Sequence, residues 1–210
     1  VVATATSEKP QVAAVRSPDG GFVVGWSNND GDPSSSARDG VFARWFDRDG
    51  SPISAAVRVS SIEDAEYATA PSLTFDARGR LLILWQAPDG SSTGIFGRIF
   101  DESHGPVDEP QRLNLNLAGS QQKPAAVSLE QGGFFALWQG SSGVGSKTKI
   151  YLQRLDDDGR PVGAERAISS GKYMREFGPA IVPTARGTWF AAWVDWDSMF
   201  PREIRGVELS

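Results

Sequence analysis

The stretch DGGFVVGW, Asp19–Trp26, joins a glycine turn to a short apolar strand that ends in tryptophan. Three altered copies follow along the chain: ARGRLLILW at Ala77–Trp85, EQGGFFALW at Glu130–Trp138 and ARGTWFAAW at Ala185–Trp193. The tryptophans that end the four copies are 59, 53 and 55 residues apart. Self-similarity at such a period indicates one structural unit built four times.

Each unit is predicted to contain four strands. A proline precedes each tryptophan strand, namely Pro10, Pro71, Pro124 and Pro179. A second apolar phrase, such as GVFARWFD at Gly40–Asp47, follows it, and in the first three units an Asp/Gly turn then leads into a last short strand. Because glycine adopts the positive φ that tight turns require, this spacing predicts antiparallel hairpins.

The run Leu81–Trp85 is apolar at every position, which is typical of a strand covered on both faces. A four-stranded antiparallel unit repeated at this period is the signature of a β-propeller blade, which packs face to face against its neighbours. The sequence therefore predicts an all-β, four-bladed β-propeller of four-stranded antiparallel blades. The four tryptophans are expected to pack between the blades.

The fourth unit ends without a last strand, whereas Val1–Ser7 at the other end of the chain is rich in β-forming residues. We predict that this N-terminal strand completes the last blade and closes the ring, which removes exposed sheet edges. A closed ring predicts a monomer; the alternatives are a fragment of a larger propeller and a half-ring that forms a dimer. The predicted blades of this single domain, 1–210, cover residues 8–61, 69–117, 122–170 and 177–210 plus 1–7.

Composition excludes several classes of function. The net charge is −5 and the acidic and basic residues are interspersed, so no basic patch predicts nucleic-acid binding. No apolar run approaches the ~20 residues of a membrane helix, and we expect no membrane insertion. The cysteine count is 0, which excludes disulfides, thiolate zinc sites and cysteine nucleophiles.

The two phrases together resemble a Trp/Gly-rich repeat of large bacterial secreted and surface proteins, which runs roughly P-x-VA…DGGFVV-x-W…GVY-x-QRFD-x-x-G. The first unit matches it with PQVAAVRSPDGGFVVGW and GVFARWFDRDG, and the third with KPAAVSLEQGGFFALW and KIYLQRLDDDG. The resemblance implies a propeller and a secreted or cell-surface bacterial setting, and it implies no catalytic residue. Four-bladed closure is also similar to hemopexin-like domains, although the disulfide typical of those is absent.

Metal and catalytic motifs are weak. The turns DRDG and DDDG lack the ligand spacing of a calcium loop and are interpreted as hairpin turns. The candidate calcium ligands are Asn28, Asp30 and Asp32, which alternate in a loop that is otherwise interpreted as solvated, and no other cofactor is expected. His104 is the only histidine, which excludes a Ser-His-Asp triad and a His-rich metal site.

The loops after each tryptophan strand and between units differ among the repeats, and variable loops on a repeated scaffold usually carry binding function. Aromatic side chains beside carboxylates and arginine suit a sugar ring or a protein partner. The alternative is that the apolar side chains of the last loop fold back and cap the ring. The predicted ligand-binding residues are Asp195, Trp196, Asp197, Arg202, Tyr173, Arg175, Tyr67 and Glu66.

These features predict a non-catalytic, lectin-like recognition module that binds a glycan or a protein on its long-loop face. Two alternatives remain. The first is a carbohydrate-active hydrolase or lyase that uses loop carboxylates, since glycoside hydrolysis requires a pair of carboxyl groups. The second is a structural spacer domain.

Overall fold

The computed structural model describes residues 10–28, 39–61, 67–141, 143, 146–172, 174–197 and 200–210. These residues form fifteen β-strands. The strands are β1 (Val12–Arg16), β2 (Phe22–Asn28), β3 (Gly40–Phe46), β4 (Val57–Arg58), β5 (Thr69–Phe75), β6 (Leu81–Pro88), β7 (Thr93–Phe100), β8 (Gln111–Arg112), β9 (Gln121–Ser128), β10 (Phe134–Gly140), β11 (Lys149–Leu155), β12 (Pro161–Ala167), β13 (Arg175–Pro183), β14 (Trp189–Asp197) and β15 (Phe200–Leu209).

The strands pair in chain order into four antiparallel sheets, which we call blades 1 to 4. Blades 1, 2 and 3 have four strands each, β1–β4, β5–β8 and β9–β12, and blade 4 has the three described strands β13–β15. The prediction of an all-β, four-bladed propeller fold is confirmed. The strand predicted to complete the last blade, Val1–Ser7, lies outside the described residues.

Three hydrophobic cores lie between successive blades, and each contains one of the repeated tryptophans. Trp85 packs with blade 1 residues such as Trp45, Trp138 packs with blade 2, and Trp193 packs with blade 3. The innermost strands follow one another in space, with β5 beside β1, β9 beside β5 and β13 beside β9. The predicted position of these tryptophans between blades is therefore correct.

The acidic turns are hairpin turns held by their own carboxylates. Asp156 Oδ1 accepts hydrogen bonds from Asp158 N at 3.0 Å and Arg160 N at 2.8 Å. Asp47 and Asp101 accept the equivalent bonds in blades 1 and 2. These hydrogen bonds to one carboxylate oxygen are those of a hairpin turn, as the sequence predicts for these stretches. Within the described part of the chain, no group of three or more His, Asp or Glu is placed to hold a metal ion.

The repeated prolines mark a bulge that the sequence did not predict. The residue before the proline has positive φ in blades 2, 3 and 4: 55° at Ala70, 52° at Lys123 and 64° at Gly178. The glutamine that follows the tryptophan of the preceding blade accepts a hydrogen bond from this bulge, since Gln86 Oε1 lies 2.8 Å from Lys123 N and Gln139 Oε1 lies 3.1 Å from Gly178 N. The bulges of blades 3 and 4 are thus each hydrogen-bonded to the preceding blade at the long-loop ends of the strands.

Candidate functional site

A cavity of about 1000 Å³ lies where the long-loop ends of blades 2, 3 and 4 meet. Its walls carry many serine and glutamine side chains together with two aromatic rings, Phe177 and Trp196. Four cationic side chains also line it, Lys123, Lys147, Arg175 and Arg202. No Asp or Glu of the described residues is in this lining. The cavity is therefore polar and cationic.

Two of these cationic side chains pair with the two aromatic rings. Lys123 Nζ lies 5.8 Å from the centroid of the Phe177 ring, and Arg175 Cζ lies 5.8 Å from that of the Trp196 ring. At these distances a cation is attracted to the face of the ring. The pairs bring together strands from blades 3 and 4 and form a wall that offers both stacking surface and hydrogen-bond donors.

A second, smaller cavity of about 320 Å³ lies on the other face of blade 4, between blades 3 and 4. Glu176 on β13 and Asp195 on β14 both line it and stand directly opposite each other in the strand register. Both are buried, with 1% and 3% of their surface exposed. Burying two neighbouring carboxyl groups destabilises the folded protein unless each group has hydrogen-bonding or ionic partners.

Two donors contact the side chain of Asp195. Trp193 Nε1 donates to Asp195 Oδ1 at 2.8 Å, and Arg205 Nε lies 2.9 Å from Asp195 Oδ2. Both oxygens are therefore engaged, one by an uncharged indole N–H and one by a guanidinium. Charge-assisted contacts of this kind fix the orientation of a carboxylate as well as its charge.

Glu176 has a different environment. Its carboxyl group accepts hydrogen bonds from Gly171 N at 3.0 Å and from the Ser169 hydroxyl, both in the connection from blade 3. Burial raises the pKa of Glu176, and the negative charge of Asp195 raises it further, against the opposing effect of these hydrogen bonds. The neighbouring carboxyl groups thus differ, since Glu176 retains its proton to a higher pH than an exposed glutamate and Asp195 is paired with a cation. Two neighbouring carboxyl groups whose environments differ in this way suit the roles of general acid and general base.

The structure places the predicted ligand-binding residues in different environments. Trp196, Arg175 and Arg202 come together in the larger cavity. Asp195 faces the smaller cavity instead, because successive residues of a strand point to opposite faces of the sheet. Asp197 is half-buried at the end of β14.

The remaining predicted residues fall elsewhere. Tyr67 is 59% exposed before β5 and lines neither cavity. Asn28 is buried at the end of β2, opposite Gly40. Glu66, Tyr173, Asp30 and Asp32 lie outside the described residues.

Glu176, Lys123 and Phe177 line these cavities but are not among the ligand-binding residues that the sequence predicts. One signal was available, because Glu176 stands two residues before the bulge of blade 4 and Gln121 stands two residues before the bulge of blade 3. Both are buried polar residues at the same place in the repeat. In blades 3 and 4, a buried polar residue therefore stands at the start of the innermost strand, at the long-loop end of the blade.

Comparison with protein families and with curated proteins found no match. The resemblance to the bacterial Trp/Gly-rich repeat is therefore not confirmed and stays a prediction. No described helix of this chain has the length and apolar character required to cross a membrane.

Solved structures do share the fold. A protein of unknown function from Dyadobacter fermentans DSM 18053 has a TM-score of 0.70 at 12% identity, and the match covers 95% of this chain and 61% of that one. An endo-arabinase from Bacteroides thetaiotaomicron VPI-5482 has a TM-score of 0.59 at 13% identity, covering 95% and 73%. An α-L-arabinofuranosidase from Lactobacillus brevis has a TM-score of 0.56 at 11% identity, covering 96% and 71%.

These likenesses show the fold, and this chain spans about three fifths of the Dyadobacter protein, with 61% covered. Two of these three neighbours are named as enzymes that act on carbohydrate, an endo-arabinase and an α-L-arabinofuranosidase. This finding contradicts the prediction of a non-catalytic recognition module and favours the alternative that the sequence left open, a carbohydrate-active hydrolase or lyase.

Proposed function

We propose that this chain acts on carbohydrate as a glycoside hydrolase, with Glu176 and Asp195 as its two working carboxyl groups. The observation that carries the proposal is their placement side by side on one cavity wall in unlike environments. The carbohydrate-acting enzymes among the structural neighbours support it. A secreted or cell-surface setting fits a polysaccharide substrate and is part of the same proposal.

The chemistry requires one carboxylic acid and one carboxylate. Glu176, with its raised pKa, donates its proton to the oxygen of the leaving sugar. Asp195, which is paired with Arg205, stabilises the positive charge that develops on the sugar ring. Glu176 then takes a proton back from the attacking water, which restores both groups to their starting state.

The larger cavity, on the opposite face of blade 4, offers a second surface to which carbohydrate can bind. Trp196 and Phe177 offer faces on which sugar rings stack, and the surrounding serine and glutamine side chains suit hydroxyl groups.

Hydrolysis of a panel of nitrophenyl glycosides and plant polysaccharides, arabinans included, tests the proposal. We expect turnover by the natural sequence and a loss of roughly 100-fold or more in Glu176→Gln and in Asp195→Asn, since each removes a proton-transfer or charge-stabilising group. Asp49→Asn, at an exposed carboxylate in the turn after β3, is the control and should keep its activity.

Circular dichroism and thermal unfolding must show that the variants remain folded. The proposal is wrong if the natural sequence cleaves no glycoside of the panel. It is equally wrong if a folded Glu176→Gln variant retains full activity, since Glu176 has been assigned the acid role.

A further inference from the structure

The larger cavity, at the long-loop ends of blades 2, 3 and 4, has walls of two kinds. One wall is cationic and aromatic, and the other is lined with serine hydroxyl groups. Its volume of about 1000 Å³ lies at the upper end of the ~300–1000 Å³ that ligand pockets usually have. The cavity therefore has room for a ligand of the size of a short oligosaccharide.

The first wall carries positive charge that its described contacts do not neutralise. Lys123 Nζ and Arg175 Cζ each lie 5.8 Å from the centroid of an aromatic ring, and a ring attracts a cation without cancelling its charge. Lys147 Nζ donates at 2.8 Å to the carbonyl oxygen of Lys172, which is uncharged as well. Arg202 on β15 adds a fourth cation. A concave surface with several like charges attracts ions of the opposite sign.

The second wall is formed by serines from two blades. Ser91 and Ser92 lie in the connection between β6 and β7, Ser120 directly precedes β9, and Ser141 directly follows β10. The hydroxyl oxygens of Ser92 and Ser120 lie 2.8 Å apart in a mutual hydrogen bond. Because a hydroxyl group both donates and accepts, this wall suits the hydroxyl groups of a sugar.

We propose that this cavity binds an acidic oligosaccharide, whose sugar units carry carboxylate or sulfate groups. These groups lie against Arg175 and Arg202, because a guanidinium donates paired hydrogen bonds to the oxygens of such anions. A sugar ring stacks on Trp196, which stands opposite Arg175 in the strand register, and the sugar hydroxyl groups face the serine wall. The inference rests on the proposal that this surface binds carbohydrate, and it does not depend on cleavage of the ligand.

An acidic sugar fits these walls better than a nucleic acid does. Single-stranded nucleic acid binds in a positively charged groove that follows its backbone over ~4 or more nucleotides. Here the cations line a single cavity where three blades meet, and the facing wall offers hydroxyl groups. The chain as a whole has a net charge of −5, so its positive charge is local.

Isothermal titration calorimetry at low ionic strength tests the proposal with pairs of ligands that differ mainly in charge. Oligogalacturonate is compared with its methyl ester, and a sulfated galactan oligosaccharide with its desulfated form. A single-stranded oligodeoxynucleotide of equal charge represents nucleic acid. Each ligand is titrated into the natural sequence and into Glu176→Gln, so that cleavage of a ligand does not obscure its binding.

Two variants each remove one cation of the cavity. Arg175→Gln and Arg202→Gln alter exposed side chains, which a folded chain tolerates. Arg186→Gln is the matched control, because it removes the same charge from an exposed arginine in the turn between β13 and β14, at the opposite end of blade 4. Circular dichroism confirms that the three variants remain folded.

We expect at least one acidic ligand to bind about tenfold or more tightly than its neutral partner, with an affinity that falls as salt is added. The pair that shows this difference identifies the anionic group. Arg175→Gln and Arg202→Gln should each weaken the binding about tenfold, since each removes a charge-assisted hydrogen bond, and Arg186→Gln should bind as the natural sequence does.

The proposal is overturned if no acidic ligand binds, or if acidic and neutral ligands bind equally well. Cavity variants that bind as tightly as Arg186→Gln overturn it too, as does tighter binding of the oligodeoxynucleotide than of either acidic sugar. Its failure is distinct from that of the hydrolase proposal. Binding of an acidic sugar without cleavage of any glycoside contradicts the hydrolase proposal alone, and cleavage of neutral glycosides without binding of acidic ones contradicts this inference alone.

Discussion

Replacing two of the repeated tryptophans by phenylalanine should have unequal effects on stability. Trp85 is fully buried, with 0% exposure, and its Nε1 has no acceptor among the described residues. Trp193 is buried as well, with 6% exposure, but its Nε1 donates to the carboxylate of Asp195 at 2.8 Å. The two substitutions remove the same atoms, and only one of them removes a hydrogen bond.

The magnitude follows from these contacts. Phenylalanine in place of a buried tryptophan loses part of the ~200 Å² that the indole buries, worth about 1–2 kcal/mol. At Trp85 the removal of an unsatisfied buried N–H offsets about 1 kcal/mol or more of that loss. At Trp193 the lost hydrogen bond to a charged acceptor adds about 1.5–3 kcal/mol. Trp193→Phe should therefore cost at least ~2 kcal/mol more than Trp85→Phe.

Urea unfolding followed by circular dichroism measures both values, and the slope of each transition checks that unfolding stays two-state. Trp85→Ala serves as the reference for loss of the whole side chain, at about 3–5 kcal/mol. An equal loss of unfolding free energy in Trp85→Phe and Trp193→Phe would refute the reasoning, since the hydrogen bond from Trp193 to Asp195 would then not stabilise the fold.

Two further predictions concern the backbone bulge and the buried glutamate. Ala70→Gly should stabilise the protein by up to ~1 kcal/mol, and Gly178→Ala should destabilise it by about as much, because positive φ strains any residue with a Cβ; thermal unfolding measures both. The raised pKa of Glu176 means that its stabilising contribution is complete below its unfolded-state pKa, about 4.3, and is lost as the pH rises through its folded-state pKa. Glu176→Gln, which cannot ionise, should therefore lose less stability than the natural sequence between about pH 4 and pH 8 in urea unfolding. An identical pH dependence for the two proteins would contradict the assigned pKa.

The fold could be predicted because its signals are local and repeated. A glycine turn, an apolar run and a tryptophan occur within each stretch such as Asp19–Trp26, and four copies of the pattern leave little choice of architecture. The bulges at Ala70 and Lys123 could not be predicted in this way, since an alanine or a lysine before proline carries no signal for positive φ. The bulge at Lys123 donates a hydrogen bond to Gln86 of the preceding blade, a long-range contact that the local sequence does not show.

The candidate site was predicted less well, for a reason of strand geometry. The segment after Trp193 was interpreted as a loop whose polar residues act together, but β14 extends to Asp197 and β15 begins at Phe200. Within a strand, Asp195 and Trp196 point to opposite faces, so they line different cavities. The position at which a strand ends determines which side chains lie on the same face. The sequence predicts strand ends less well than it predicts the strands themselves.

Blade 4 departs from the other blades at the positions that form the carboxyl pair. Asp195 follows Trp193 by two residues, where blade 3 has Gly140, and Arg205 stands opposite Trp193, where blade 3 has the aromatic ring of Tyr151 opposite its own tryptophan. A tyrosine ring at this position packs on the tryptophan. An arginine there instead supplies the guanidinium that Asp195 requires.

Packing alone would favour neutral side chains at the positions of Glu176 and Asp195. Blade 3 has Gln121 where blade 4 has Glu176, and Gly140 where it has Asp195, so the repeat can fill both positions without a buried carboxyl group. Buried charges contribute less to stability than well-packed neutral side chains of similar size, and each becomes strongly destabilising when its partner is removed. A blade that carries two buried carboxyl groups and the arginine that pairs with one of them gains nothing in folding from the exchange. The cluster is therefore explained better by chemistry at the cavity that it lines than by the stability of the propeller.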